Sequence, residues 1–315
     1  MKGVIRVLPW AMVAGAAWSI GAWFNLYYFQ DPAWVNSIYT QKIARAEAIK
    51  APRRILLVGG SSTHFGLQAE RLQKKLNIPV VNLGLHAGLG LDGIFKLVQN
   101  EIRAGDIVVL FPEHDLLSYT PEENSGILAT LVGLRSQRFD LLQGEQENPK
   151  NVANRLILVG SPRLFDVVAA LRSEIFTRRK PTWYQFDVNQ NGDSLDSLSG
   201  KPPFGETSVE LSDASFQQID HFRQFVEQRQ GKLILGIPWK LAKSEPKTQS
   251  QLRQVIGSLS KIAPVVYNPK TLNLKEDISL FGDTTFHLTR EGQKLRTEEL
   301  AEQLRPLVTQ KVARN

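Results

Sequence analysis

"RILLVGGSSTHFG", residues 54–66, sets four apolar residues, Ile55 to Val58, against two glycines, two serines and a histidine. A short unbroken apolar run ended by glycine reads as a strand buried on both faces. Just beyond it, Ala69, Leu72 and Leu76 recur at helical spacing. "IPVVNLG" (78–84) reads as a second strand, and Leu91, Phe95, Val98 and Ile102 mark one face of an amphipathic helix. "DIVVLFP" (106–112) is then a third strand. The alternation returns late in the chain with "KLILGIP" (232–238), a helix over 249–259, "PVVYN" (264–268) and a closing helix over 293–307. Strands alternating with helices of this length imply parallel βαβ units with right-handed crossovers. The expected fold is α/β: a three-layer α/β/α sandwich around a five-stranded parallel sheet.

Between about residues 116 and 230 no strand is legible, so this stretch is expected to be a mostly helical insertion after strand three. "SPRLFDVVAALRSEIF" (161–176) offers Ser161 as a cap, Pro162 at the first helical position, and Leu164, Val168, Leu171 and Ile175 on one face. Arg178, Arg179 and Lys180 follow it. The apolar face is no wider than ordinary packing requires, which favours a lid or core helix over one lying on lipid.

At the other end, Val7 to Phe29 carries no charge, is long enough for one spanning helix and is rich in Trp and Tyr. Ala14 and Ala16 fall inside the apolar run, which argues against a cleaved signal peptide. Lys2 and Arg6 favour an inner N-terminus. The expectation is a single-pass membrane protein with an anchor over 1–30, a polar helical spacer over 31–53, and an extracytoplasmic domain over 54–315.

With 42% hydrophobic and 22% charged residues in 315, the chain is built to fold rather than stay disordered. The net charge of +7 is scattered along it, with no basic stripe interleaved with aromatics, so nucleic acid is not an expected partner. The absence of cysteine excludes disulfides, thiolate zinc sites and a thiol nucleophile.

Ligands of open α/β sheets bind beyond the carboxyl ends of the strands. Ser61, Ser62 and His64 stand there after strand one, Asn82, Gly84 and His86 after strand two, and Glu113, His114 and Asp115 after strand three. Asp283 and His287 lie in "GDTTFHLTREG" near the end of the chain. A serine becomes a nucleophile when a base takes its proton and a third group orients that base. Asp283 and His287 are four apart, so one helical turn would put carboxylate and imidazole on one face. A helix opening at the serine would offer N–H groups and a dipole to an oxyanion.

These blocks carry a resemblance. "GSSTHFG" resembles the GDS-x-x-x-G block of the SGNH, or GDSL-like, hydrolases, with Ser61 where Asp is usual. "VVNLGLHAG" is similar to their N-x-G block, "KLILGIPWK" to their fourth strand, and "FGDTTFHLTREGQKLRTEEL" to the closing Asp/His block. The likeness spans roughly 54–115 and 230–308. It implies a flavodoxin-like fold in which Ser62 is the nucleophile, His287 the base and Asp283 the orienting acid. The backbone of Ser62 and Gly84 would form the oxyanion hole, with His64, Asn82, His86 and Glu113 lining the pocket and no cofactor or metal needed.

Two departures stand out: Asp lies four rather than three residues before His, and "PEHD" replaces the family's G-x-N-D block. His114 falls near the asparagine's place, where a protonated or suitably tautomeric ring would donate to the oxyanion. The resemblance is greatest to membrane-anchored SGNH-like proteins that act on acyl groups of exported polysaccharides or wall polymers. It implies an acylated glycan or wall polymer as substrate and a polytopic acyltransferase as partner. The alternative is a catalytically silent module that binds glycan or scaffolds a membrane complex.

Simpler readings stand beside these: Ser62 as a helix cap, and Glu113 and Asp115 as caps after strand three. "GLGLDG" (88–93) matches G-x-G-x-x-G but follows the second strand rather than the first, so dinucleotide binding is not expected. Asp187, Asn189, Asn191 and Gly192 begin like a calcium loop. Leu198 then stands where a bidentate Glu is required, and an Asx-rich turn is the better reading.

Overall fold

A computed structural model describes residues 2–118, 126–142, 149–177, 184–204 and 209–309. The chain opens with α1 (Lys2–Trp23), a π-helical segment (Phe24–Tyr28), α2 (Gln30–Ala48), β1 (Ile55–Gly59), the single-turn α3 (Ser61–His64), α4 (Ala69–Leu76) and β2 (Val80–Asn82). It continues through α5 (Gly90–Val98), β3 (Ile107–Phe111), α6 (His114–Leu117), α7 (Ile127–Ser136), α8 (Pro149–Val159), α9 (Leu164–Thr177) and α10 (Asp213–Gln228). β4 (Lys232–Gly236), α11 (Pro246–Leu259), β5 (Val265–Val266) and α12 (Arg290–Val308) complete it.

The molecule has two compact units: residues 1–37 with 121–185, and residues 38–120 with 186–315. The larger one holds the sheet, whose order is β2-β1-β3-β4-β5 with every pair parallel. The expected α/β architecture with five parallel strands is therefore present. β1, read from its apolar run, is buried at every position. Ile55 and Leu57 pack with Val80, Val109 and Ile234 against Leu72 of α4 and Leu300 and Leu304 of α12. The helices α5 and α10 pack on the sheet as well, their Phe95 and Phe222 rings stacked at 4.0 Å.

A buried ion pair locks the amino ends of β1 and β3. Arg54 donates through Nε and Nη2 to both carboxylate oxygens of Asp106, at 2.9 and 3.0 Å, through Nη1 to the carbonyl of Ala46 and through Nη2 also to that of Glu101. Both side chains are about 1% exposed.

The expected spacer is helical, as α2, and its second half is packed. Ile38, Lys42 and Ala46 on the second half of α2 are fully buried in the larger unit. Amphipathic helices pack whenever a face is available, and the charges at 42 and 45 obscured this one. The expected insertion is also redrawn: residues 121–185 form a unit with the N-terminus, whereas 186–230 belong to the sheet unit. Within that region the Asx-rich turn does structural work. Asn189 Oδ1 accepts the N–H groups of Asn191 and Asp193, and the Asp193 carboxylate accepts those of Ala69 and Glu70 at the start of α4.

In the smaller unit Ala22, Leu131 and Val159 form the core, joining α1, α7 and α8. Among the described residues no helix is long and apolar enough to cross a membrane. Arg178, Arg179 and Lys180 lie outside the described residues.

Candidate active site

β1 ends at Gly59, and the chain turns at once into α3, so Ser62 is the second residue of a single helical turn rather than its cap. One turn carries little macrodipole, so the turn contributes N–H groups and not the field expected of a longer helix. Ser62 is 6% exposed, and its Oγ is buried without a hydrogen-bond partner. It borders a small cavity whose other walls include Phe111, Trp239, Phe286, Leu288 and Arg296.

His287 and Asp283 do meet: Nδ1 and Oδ1 are 2.9 Å apart. They meet in a loop, however, not on a helical turn. Gly282 N–H donates to His287 O and an isolated bridge pairs Phe281 with Leu288, so the backbone doubles back between them. Thr284 Oγ1 accepts the N–H groups of Phe286 and His287 and fixes the bend. This loop is seated on α3, with Leu288 N–H bonded to Phe65 O and the His287 ring 4.6 Å from that of Phe65. Ser62 Oγ and His287 share the region without a hydrogen bond between them.

The expected oxyanion donors are occupied. Ser62 N–H donates to Glu113 Oε1 at 2.5 Å, and Gly84 N–H donates to Asn82 Oδ1 at 2.9 Å. The Gly84 N–H, like that of Ser62, is thus engaged within the protein in this arrangement. A β-carbon there would lie 2.4 Å from His64 N, so glycine is needed for β2 to approach α3. Asn82 completes the seam by donating through Nδ2 to the carbonyls of Thr63 and Leu67.

Glu113 stands at the N-cap position of α6, but its side chain makes no cap bond there. Its carboxyl is 4% exposed and turned to the serine turn, where Ser61 Oγ also lies 3.5 Å away. Burial pushes its pKa up, against the lowering effect of the Ser62 N–H, the Ser62 hydroxyl and His287. The hydroxyl exerts that effect by proximity, since it meets the carboxylate at no regular hydrogen-bond geometry.

Lys42 is the residue the sequence concealed. Fully buried, it donates to Gly84 O at 2.7 Å and lies 2.9 Å from His64 Nδ1. Burial brings its pKa down to about 7, with Asp193 opposing. His64 accordingly acts as acceptor at Nδ1 when Lys42 is charged, and its pKa falls well below the usual imidazole range through burial and then Lys42. His86 accepts Gly88 N–H at Nδ1, and burial, with His287 nearby, lowers its pKa to about 4.

His114 is 2% exposed with neither ring nitrogen hydrogen-bonded, and its ring lies edge-on to Phe286. Burial, reinforced by Lys240, lowers its pKa to about 3. Burial thus favours the neutral His114 ring, which keeps one N–H donor. Its folded pKa lies below the unfolded value of 6.5, so the unfolded chain alone binds this proton as pH falls from 6.5 to about 3. Stability is lost across that window at about 1.4 kcal/mol per pH unit. His114→Phe should remove one proton from the pH dependence of unfolding, measured by denaturant titration at several pH values. An unchanged slope would mean that the ring is already charged in the folded state.

No family model, curated protein or solved structure matches this chain. What the site can do must be read from its own residues. Among the described residues no three His, Asp or Glu side chains are grouped to hold a metal. The side chains of Asn189 and Asp193 in the calcium-like loop are directed at backbone N–H groups.

Proposed function

We propose that the larger unit is an SGNH-like serine acyl-ester hydrolase or O-acyltransferase of flavodoxin-like topology. The observation that carries the reading is the His287–Asp283 pair held by its loop on the same turn that bears Ser62. Asp283 bonded at Nδ1 leaves Nε2 as the basic nitrogen. Ser62 Oγ attacks the acyl carbonyl, His287 takes its proton and returns it to the leaving alkoxide, and water or a second hydroxyl resolves the acyl-serine. Ser62 N–H receives the oxyanion once Glu113 withdraws from it.

The strand order, with β1 between β2 and β3, puts the serine turn at the point where the connections diverge, which supports the reading independently. The uncharged N-terminal run supports a location at a membrane, outside the cytoplasm, with acyl groups of an exported polysaccharide or wall polymer as substrate and a polytopic acyltransferase as donor. The buried Ser62 hydroxyl and the occupied Ser62 N–H favour the second reading, a silent binding module.

Labelling with a fluorophosphonate probe separates the two. The enzyme reading requires one phosphonylated residue, Ser62, with labelling abolished in His287→Ala. Intact protein that stays unlabelled, or labelling that survives in Ser62→Ala, would overturn it.

A further inference from the structure

The apolar stripe of α9 faces outward. Leu164, Val168, Leu171 and Ile175 are 77%, 54%, 57% and 70% exposed, so nothing among the described residues covers this stripe although Ala170 on another face is buried. In the same unit α8 exposes Leu156 and Ile157, and α1 exposes Trp10, Met12, Val13 and Ile20. An aqueous surface seldom carries so many exposed apolar side chains on three helices without a partner.

Three polar side chains of the unit bond to carbonyls within it. Trp18 Nε1 donates to Leu156 O at 2.8 Å, Asn25 Nδ2 to Val159 O at 2.9 Å, and Ser161 Oγ to Ile157 O at 2.9 Å. Internal satisfaction of this kind is what hydrocarbon demands and water does not. Charge points the same way, since the described residues 149–177 carry Lys150, Arg155, Arg163 and Arg172 against Asp166 and Glu174. At 100° per residue Arg172 falls on one flank of the α9 stripe, where a long basic side chain reaches headgroups while its stem stays in apolar surroundings, and on the other flank the Arg163 guanidinium lies over the Phe29 ring.

We propose that the smaller unit seats in one leaflet of an anionic bilayer, with α9 lying in the interfacial plane and the exposed faces of α1 and α8 adding apolar contact. The attachment is then that of a monotopic protein rather than a single spanning helix. This rests on the membrane location proposed above but not on the enzymatic reading.

Flotation of the full-length protein with phosphatidylcholine vesicles, with and without phosphatidylglycerol, tests it. The wild type should float with both, more with phosphatidylglycerol, and lose that increment at high salt. Leu164→Glu/Leu171→Glu changes two exposed side chains, so its thermal unfolding should match the wild type while its vesicle affinity falls at least about 100-fold. Leu164→Met/Leu171→Met should bind like the wild type. Undiminished flotation of the glutamate variant overturns the proposal and leaves the location standing, whereas failure of the wild type to float removes both. A glutamate variant that turns a dimer into a monomer in sedimentation, with lipid binding unchanged, would assign the face to a second copy and also overturn the proposal.

Discussion

Ser62→Ala and His287→Ala should each lower kcat for ester hydrolysis by about 10⁴-fold or more, because each removes a member of a unit that works only when complete. Asp283→Asn should cost about 10²- to 10⁴-fold. The smaller figure is expected, since Asp283 is 37% exposed on its side chain and water can partly replace it in holding Nδ1. KM should change little in all three, as none is asked to bind the ground state. Steady-state kinetics on a soluble aryl ester checks this. A neutral Asp283→Asn with a severe Glu113→Gln would transfer the acid's role to Glu113, which already lies against the serine turn. Equal residual rates in Ser62→Ala and the wild type would remove the hydrolase altogether.

The largest stability effect is expected far from that chemistry. Asp106→Ala would leave the Arg54 guanidinium, 1% exposed, without the carboxylate that takes two of its hydrogen bonds. Breaking such a pair on one side costs about 3–5 kcal/mol, because the charge left behind cannot reach water. Chemical denaturation should show this loss with an m-value near the wild type. Replacing both partners together, as Arg54→Met/Asp106→Leu, should restore most of it, since well-packed apolar groups frequently match a buried pair. A loss below about 1 kcal/mol in Asp106→Ala would show that the site hydrates readily.

Much of the sheet was readable because burial on both faces leaves an unbroken apolar signature, as in Ile55–Val58 and Ile107–Phe111. The four-residue spacing of Asp283 and His287 correctly brought the two together but suggested the wrong backbone. Helical and looped paths can both close such a gap, and Thr284 decided between them through its hydroxyl. Lys42 was not legible at all, since a lysine in a polar helix looks the same whether it meets water or the carbonyl of Gly84. The apolar stripe of α9 was visible in the sequence, but periodicity reports that a face exists and not what covers it.

The Ser62 N–H has an incumbent. Any acyl oxygen that uses this donor must displace the Glu113 carboxyl from a 2.5 Å bond, and a neutral ester carbonyl is a weak contender against it. A tetrahedral alkoxide, carrying nearly a full charge, competes far better. Under the hydrolase reading the turn thus withholds its stabilisation from the resting substrate and releases it as charge develops, which is the discrimination that converts binding into rate. Glu113→Gln, still able to accept that N–H but with a weaker acceptor, would blunt the contrast by easing the entry of uncharged carbonyls.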